Sequence, residues 1–312
     1  MKYLFMRTLF LILFVFCQIA GYSQNKWTAT FKAKRNFTLG ESYSYNVKEF
    51  FKIDNIFVGF KATSESIATF KIVDTSNGGY WIRYSTTSIF AKSKNDKSIF
   101  VMNELMDKIQ LFVYVKDGTF MLDSLSYHKT KKSIEYDLDS IAGTKTFDKN
   151  TTRYITFLKA ELQEEAGLGS LLGPLVLWQQ YYISGEFKKF RLTMAGEAQN
   201  ILSQKQYSGV IENELLNISK DSSVTLQTDF TGDPTSTARY YKGFYEKLIK
   251  LNNKKIGKLA FPPEMRYNDY YIFKTALNGT FPNSLTKKTV AEYLVRSVVR
   301  TEMYQINLLD NY

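Results

Sequence analysis

The chain has a single histidine, His128, in Ser126-Tyr127-His128-Lys129, and any triad or zinc site that uses imidazole would have to be assembled around it. A serine hydrolase of the nucleophile-elbow type needs Gly-x-Ser-x-Gly, and a zinc protease needs His-Glu-x-x-His; neither pattern occurs. The polar neighbours of His128 instead predict an exposed surface residue. The one cysteine, Cys17, falls in an apolar N-terminal run, so the mature protein is expected to lack disulfides, thiolate metal sites and a cysteine nucleophile. Gly167-Leu168-Gly169 and Gly78-Gly79 lack the lysine and helix that follow a phosphate loop, and no calcium-loop pattern is present. The sequence therefore predicts no metal and no cofactor.

Carboxylates offer another chemistry, because glycoside hydrolysis needs only two of them held across a cleft. Glu161, Glu164 and Glu165 fall on a predicted helix, while Asp229, Asp233, Glu264 and Asp269 flank a second helix and a hairpin. A solvated helix face accounts for the first group, and capping or turn roles account for most of the second. Spacing selects no pair, and no catalytic residue is assigned. The candidates for binding are aromatic: Trp178, Tyr181 and Tyr182 in one apolar segment, and Tyr240, Tyr241 and Tyr245 on a later helix. Such side chains can line a groove for a lipid tail, a sugar or an extended peptide. They can equally be core residues whose hydroxyls reach solvent.

The elements that must position these residues centre on Ile109 to Leu125. Asp117-Gly118 fits a type I′ turn, which predicts a hairpin pairing Lys116 with Thr119, Val115 with Phe120, Tyr114 with Met121 and Val113 with Leu122. Asn278-Gly279-Thr280-Phe281 echoes Asp117-Gly118-Thr119-Phe120, which suggests two related lobes or one good turn that arose twice. Alternation predicts further strands at Phe37 to Phe51, Ser66 to Asp74, Tyr80 to Ser88, Lys189 to Ala195, Gln206 to Ile218 and Ser222 to Phe230. The alternation of Ile134, Tyr136 and Leu138 predicts an edge strand within 126–150. Helical spacing appears from Thr151 to Ala166, and Ile99 to Lys108 reads as a short helix. In the apolar run Ser170 to Tyr182, Pro174 breaks the middle, and the segment reads as a helical turn leading to a short helix, a candidate linker buried between two lobes. Asp233 as N-cap and Pro234 at the first position start another helix, in which Gly243 costs about 1 kcal/mol relative to alanine. The segment 286–309 reads as two strands bending near Ser297.

Lys2 and Arg7 precede the apolar run Leu9 to Ala20, and small residues Gly21 and Ser23 precede Gln24: the pattern of a secretory signal cut near Ser23/Gln24. The run is short for a membrane span, so no integral span is expected after cleavage. Phe16 and Val15 ahead of Cys17 argue against lipidation. Lys and Arg number 41 against 30 Asp and Glu. Without Lys2 and Arg7 the balance remains +9, from 39 against 30. For an exported protein this points to lipid, glycan or envelope protein as partner and away from nucleic acid.

The end of that signal, Tyr22-Ser23-Gln24, with Phe37-Thr38-Leu39-Gly40-Glu41-Ser42-Tyr43 and the Asn278-Gly279-Thr280-Phe281 hairpin, resembles uncharacterised signal-peptide-bearing exported proteins of Gram-negative bacteria. The resemblance implies a periplasmic or extracellular location and no activity. The expected fold is α+β and β-rich: curved antiparallel sheets with a few packed helices, comparable to lipoprotein-carrier half-barrels. The expected division is a signal peptide at 1–23, an N-terminal lobe at 24–150, a helical segment at 151–186 and a C-terminal lobe at 187–312. The leading functional expectation is a non-enzymatic binding protein for an apolar or amphipathic ligand or an envelope partner. A carboxylate-dependent hydrolase of envelope polymer and a purely structural interaction module are the alternatives.

Overall fold

Side chains that alternate between buried and exposed, two residues apart, dictate strands with one face against a core. Met265, Tyr267, Asp269, Tyr271, Phe273 and Thr275 are buried along one strand, and the residues between them turn outward. The computed structural model describes residues 30–309 except 34–35, 55–58, 90–100, 102–103, 117–118, 145, 164–167, 169–170, 184–185, 198–207, 221, 252–263, 278–280 and 294–297. The signal-peptide expectation, the Asp117-Gly118 and Asn278-Gly279 turns and the bend at Ser297 lie outside the described residues.

Eleven strands form one antiparallel sheet. The first run is β2 (Ser42–Asp54), β3 (Gly59–Asp74), β4 (Tyr80–Ser88), β5 (Gln110–Lys116) and β6 (Thr119–Leu122). The second is β8 (Leu192–Glu197), β9 (Ser208–Ile218), β10 (Ser223–Gly232), β11 (Met265–Ala276), β12 (Ser284–Tyr293) and β13 (Val298–Leu308). Each run pairs neighbour with neighbour, and β13 pairs with β2, giving the order β6-β5-β4-β3-β2-β13-β12-β11-β10-β9-β8. The sheet is open, with β6 and β8 at its edges. The two strand-rich regions expected as lobes thus join edge to edge in one sheet. A separate ribbon pairs β1 (Thr30–Lys32) with β7 (Glu186–Lys188), opposing Phe31 and Phe187.

Among the described residues, helices of eleven residues or more complete the fold: α1 (Ser124–Thr144), α2 (Lys149–Leu162), α3 (Gly173–Ile183) and α4 (Pro234–Leu251). Helix α1 packs on β5, α2 on β3, α4 on β11, and α3 on β12 and β13. Their common side is the inner face of the sheet. Asp148 caps α2 by accepting the Thr151 amide at 2.9 Å, and that bond holds its carboxyl below the usual range. Asp233 caps α4 as the sequence predicts, accepting the Ser236 amide at 2.7 Å.

The hairpin register is the predicted one, from Lys116 with Thr119 to Val113 with Leu122. The edge strand expected within 126–150 is instead α1. Thr130, Ile134, Leu138 and Ile141 follow helical spacing and are buried, whereas Tyr136, which completed the apparent alternation, is 76% exposed. Asp123 accepts the Ser126 amide at 2.7 Å and starts that helix. The short helix expected in 170–182 is α3, and Pro174 stands in its first turn, where no intrahelical N–H is required, rather than breaking the segment.

Candidate functional site

Register places the inner-face residues in lateral rows, and two adjacent rows differ in kind. One runs Leu215, Leu226, Phe273, Leu285, Ile306 and Val47 from β9 to β2, all buried. The next runs Asn213, Thr228, Tyr271, Lys287, Glu49 and Ser64 from β9 to β3, with Tyr304 at the intervening register position on β13. A polar row crosses the buried face of seven adjacent strands, flanked by an apolar one.

The charged centre of the polar side is Asp269 on β11, 4% exposed. Tyr267 and Tyr271 flank it at i−2 and i+2 on the same face, and their hydroxyls donate to Oδ2 at 3.1 and 3.0 Å. Thr289, its register partner on β12, donates to Oδ1 at 2.5 Å. Lys287 lies opposite Tyr271, with its ammonium 5.6 Å from the ring centroid and 3.6 Å from Asp269 Oδ1. Three hydroxyl donors and one cation surround a single carboxylate, which is how a buried charge is tolerated.

Two strands along the polar row from Lys287, Glu49 is 7% exposed and accepts the Ser64 hydroxyl at 3.0 Å. Burial, and after it the charge of Glu49, pushes the phenols of Tyr84 on β4 and Tyr154 on α2 above their ordinary range. Those tyrosines therefore stay protonated and act as neutral polar groups.

Trp178, Tyr181, Tyr182 and Tyr241 are in the core, each at 2% exposure or less. Trp178 stacks on Phe70 at 4.7 Å and meets Tyr182 at 4.8 Å, with Phe37, Phe120 and Phe281 within 5.8 Å. Tyr181 donates to Thr275 at 3.3 Å, and burial pushes its phenol up to about 12. Tyr241 faces Tyr267, centroids 6.3 Å apart, and so adjoins the polar centre. The side chains of Tyr240 and Tyr245 lie outside the described residues, and the binding candidates divide between the aromatic core and the edge of the Asp269 cluster. His128 is exposed on α1.

The carboxylates divide between the two faces. Asp229 faces outward, where Arg191 meets Glu212, Glu214 and Asp229 at 3.0, 3.4 and 3.6 Å; burial raises the Asp229 carboxyl pKa. Asp233 serves as a cap, and Glu264 is exposed just before β11. Among the described residues no group of three His, Cys, Asp or Glu is placed to hold a metal ion. A surface groove of about 440 Å³ lies in the helical layer over Phe147 and Ile155. Its rim is internally satisfied: Thr152 and Thr156 donate to helix carbonyls, and Lys159 reaches Asp139 at 2.6 Å.

Glu49, Tyr267, Tyr271, Lys287 and Thr289 escape a search by motif, because no motif contains them. Their signal is one of phase. In Met265-x-Tyr267-x-Asp269-x-Tyr271-x-Phe273 an acid occupies the inward phase of an aromatic alternation, and in Leu285-x-Lys287-x-Thr289-x-Ala291 a lysine does.

No protein-family model matches the chain, and no curated protein matches it. Among solved structures, it is similar to lipovitellin, in a structure concerned with lipid–protein interactions, at a TM-score of 0.39 and 9% identity. That match covers 88% of this chain and 25% of the other, so the chain spans a quarter of the lipovitellin chain. It is also similar to OmpF of Salmonella typhi in complex with daunomycin, at a TM-score of 0.22 and 7% identity, covering 86% and 97%. Likenesses this low leave function to be argued from the chain's own residues. Among the described residues no helix is long and apolar enough to cross a membrane.

Proposed function

We propose that the protein is a non-enzymatic exported binding protein whose sheet curves as a half-barrel around an apolar or amphipathic ligand or an envelope partner. The observation that carries this reading is the pairing of a polar row with an apolar row on the buried face of one open sheet. A face built only to fold gains about 1.5–3 kcal/mol for each large apolar side chain it buries. Replacing a buried ion pair by well-packed apolar residues is often neutral or stabilising. Keeping Asp269, Lys287 and Glu49 there forgoes stability, and departures of that kind mark functional sites.

A carboxylate-dependent hydrolase has less support. Asp269 and Glu49 lie on strands three apart, about 14 Å between backbones at roughly 4.8 Å per strand. The carboxyl groups of glycoside hydrolases stand about 5–9.5 Å apart.

Native mass spectrometry of the protein purified gently from its own envelope, before and after solvent extraction, tests the binding reading. The expected result is a stoichiometric small molecule or partner lost on extraction. An unliganded mass, together with no uptake of any amphipath offered afterwards, overturns it. N-terminal sequencing of the same sample tests export, with Gln24 as the expected first residue.

A further inference from the structure

An antiparallel sheet with one face on a core usually turns polar side chains outward on the other. The outer face departs from that rule where the two runs of strands meet. Register sets Tyr270 of β11 opposite Lys288 of β12, Lys288 opposite Met303 of β13, and Met303 opposite Phe50 of β2. Ile272 follows Tyr270 two residues along, on the same side of its strand. Tyr270, Ile272 and Met303 are 42%, 38% and 46% exposed, and Phe50 is half-buried. Apolar side chains exposed singly need no explanation, whereas contiguous ones mark interaction surfaces. Helices α1 to α4 pack on the opposite face of the sheet.

Charge narrows what covers the patch. Lys61, Lys274 and Lys288 share this face and make no ion pair among the described residues, and the Lys61 ammonium lies 5.4 Å from the Phe50 ring centroid. Two acids of the face, Glu65 and Glu292, are taken by Lys48 at 3.7 Å and Arg266 at 3.9 Å. Beyond Tyr270, Asp229 shares Arg191 with Glu212 and Glu214, and its side chain is only 14% exposed. Surplus positive charge therefore stands among apolar side chains. A two-fold contact between copies centred here would set lysine against lysine. Adjacent strands space these groups about 4.8 Å apart in an extended array rather than around a cleft. An anionic bilayer matches both properties: its phosphates take the ammonium groups, and its interfacial layer takes the tyrosine ring and the apolar tips.

We propose that the outer face of β11, β12, β13 and β2 docks on an anionic phospholipid bilayer and lies on its surface. This goes beyond the binding reading, which concerns the inner face, and either can fail without the other. The test is co-sedimentation of the mature chain, which lacks the apolar run at 9–20, with vesicles of phosphatidylglycerol or of phosphatidylcholine. Each lysine near an anionic surface is worth about fivefold in affinity, so three should favour phosphatidylglycerol by about a hundredfold. Salt at about 1 M, which shortens the screening length to about 3 Å, should remove most of that preference. Lys274→Glu and Lys288→Glu should each weaken binding by about fivefold or more, and Tyr270→Ser combined with Met303→Ser should weaken it at either salt. Lys129→Glu, the same charge change at an exposed position of α1, should leave it nearly unchanged. Equal binding to the two lipids, or none to phosphatidylglycerol, overturns the proposal without any variant. A loss for Lys129→Glu as large as for Lys288→Glu also overturns it, by reducing the effect to net charge. Sedimentation velocity without vesicles is expected to show a monomer. A dimer that Lys288→Glu dissolves assigns the face to a second copy and overturns the lipid assignment.

Discussion

Tyr45 on β2 donates its buried hydroxyl to the carbonyl of Pro282 at 3.1 Å, 237 residues further along the chain. The bond joins the first long strand to the connection between β11 and β12, beside Tyr43 and Phe281, whose rings stack at 3.4 Å. Removing the hydroxyl while keeping the ring leaves a buried acceptor unsatisfied. Tyr45→Phe is expected to cost about 1–3 kcal/mol, read as a lower urea midpoint at unchanged slope. An unaltered midpoint would show that the bond contributes nothing net.

Tyr45, Tyr84 and Tyr154 have phenols raised well above the ordinary value of 10, chiefly by burial. The raised folded value fixes the sign. Below pH 10 both folded and unfolded chains keep these protons; above it the unfolded chain releases them first, so stability is lost as pH rises. Each such tyrosine contributes a slope of about 1.4 kcal/mol per pH unit. Urea midpoints from pH 8 to 11.5 should stay level to about 10 and then fall. Absorbance at 295 nm should show these phenols ionising only as the protein unfolds. Their ionisation in the folded protein near pH 10 would contradict this account.

Breaking the Asp269–Lys287 pair from one side should cost more than removing both charges. Asp269→Ala strands a buried ammonium, for which about 3–5 kcal/mol is expected. Adding Lys287→Met should recover part of that loss, while the hydroxyls of Tyr267, Tyr271 and Thr289 remain without their acceptor. A double variant no more stable than Asp269→Ala would assign the whole cost to those hydroxyls.

Two glycines predict opposite signs. A Cβ on Gly243 of α4 meets nothing within 4 Å, so Gly243→Ala should stabilise by about 1 kcal/mol through helix propensity. A Cβ on Gly209 of β9 collides with the Thr231 carbonyl and the Phe230 ring, so Gly209→Ala should destabilise by about 1–3 kcal/mol. Thermal melts of both proteins decide the matter.

The sequence was most informative where one local rule acted unopposed. The Asp117-Gly118 pair in the sequence predicted the β5–β6 register that the strands adopt, and Asp233-Pro234 predicted the start of α4. It misled where two periods coincided: Ile134, Tyr136 and Leu138 alternate like a strand, and only the wider pattern through Thr130 and Ile141 discloses a helix. The second hairpin shows the limit of a turn motif. A two-residue turn at Asn278-Gly279 would pair Leu277 with Thr280. The strands instead pair Lys274 with Ser284, a register one residue out of step, and β11 continues to Ala276 against Ser223 of β10. The polar centre was illegible for a different reason. Asp269 and Thr289 stand 20 residues apart, and Asp269 and Glu49 more than 200, so only strand order and register bring them to one face.

The pairing of β13 with β2 also governs the order in which the protein can be finished. A ribosome releases β2 through β6 early, yet β2 gains its second neighbour only when residues 298–308 emerge. Until then a thirteen-residue strand presents a bare line of amides and carbonyls, the kind of template on which another nascent copy can pair. A contact closed across so much sequence also slows the final folding step. The molecule is therefore most exposed to aggregation after most of its sheet has been synthesised and before its last strand arrives, which makes chaperone protection most valuable in that interval.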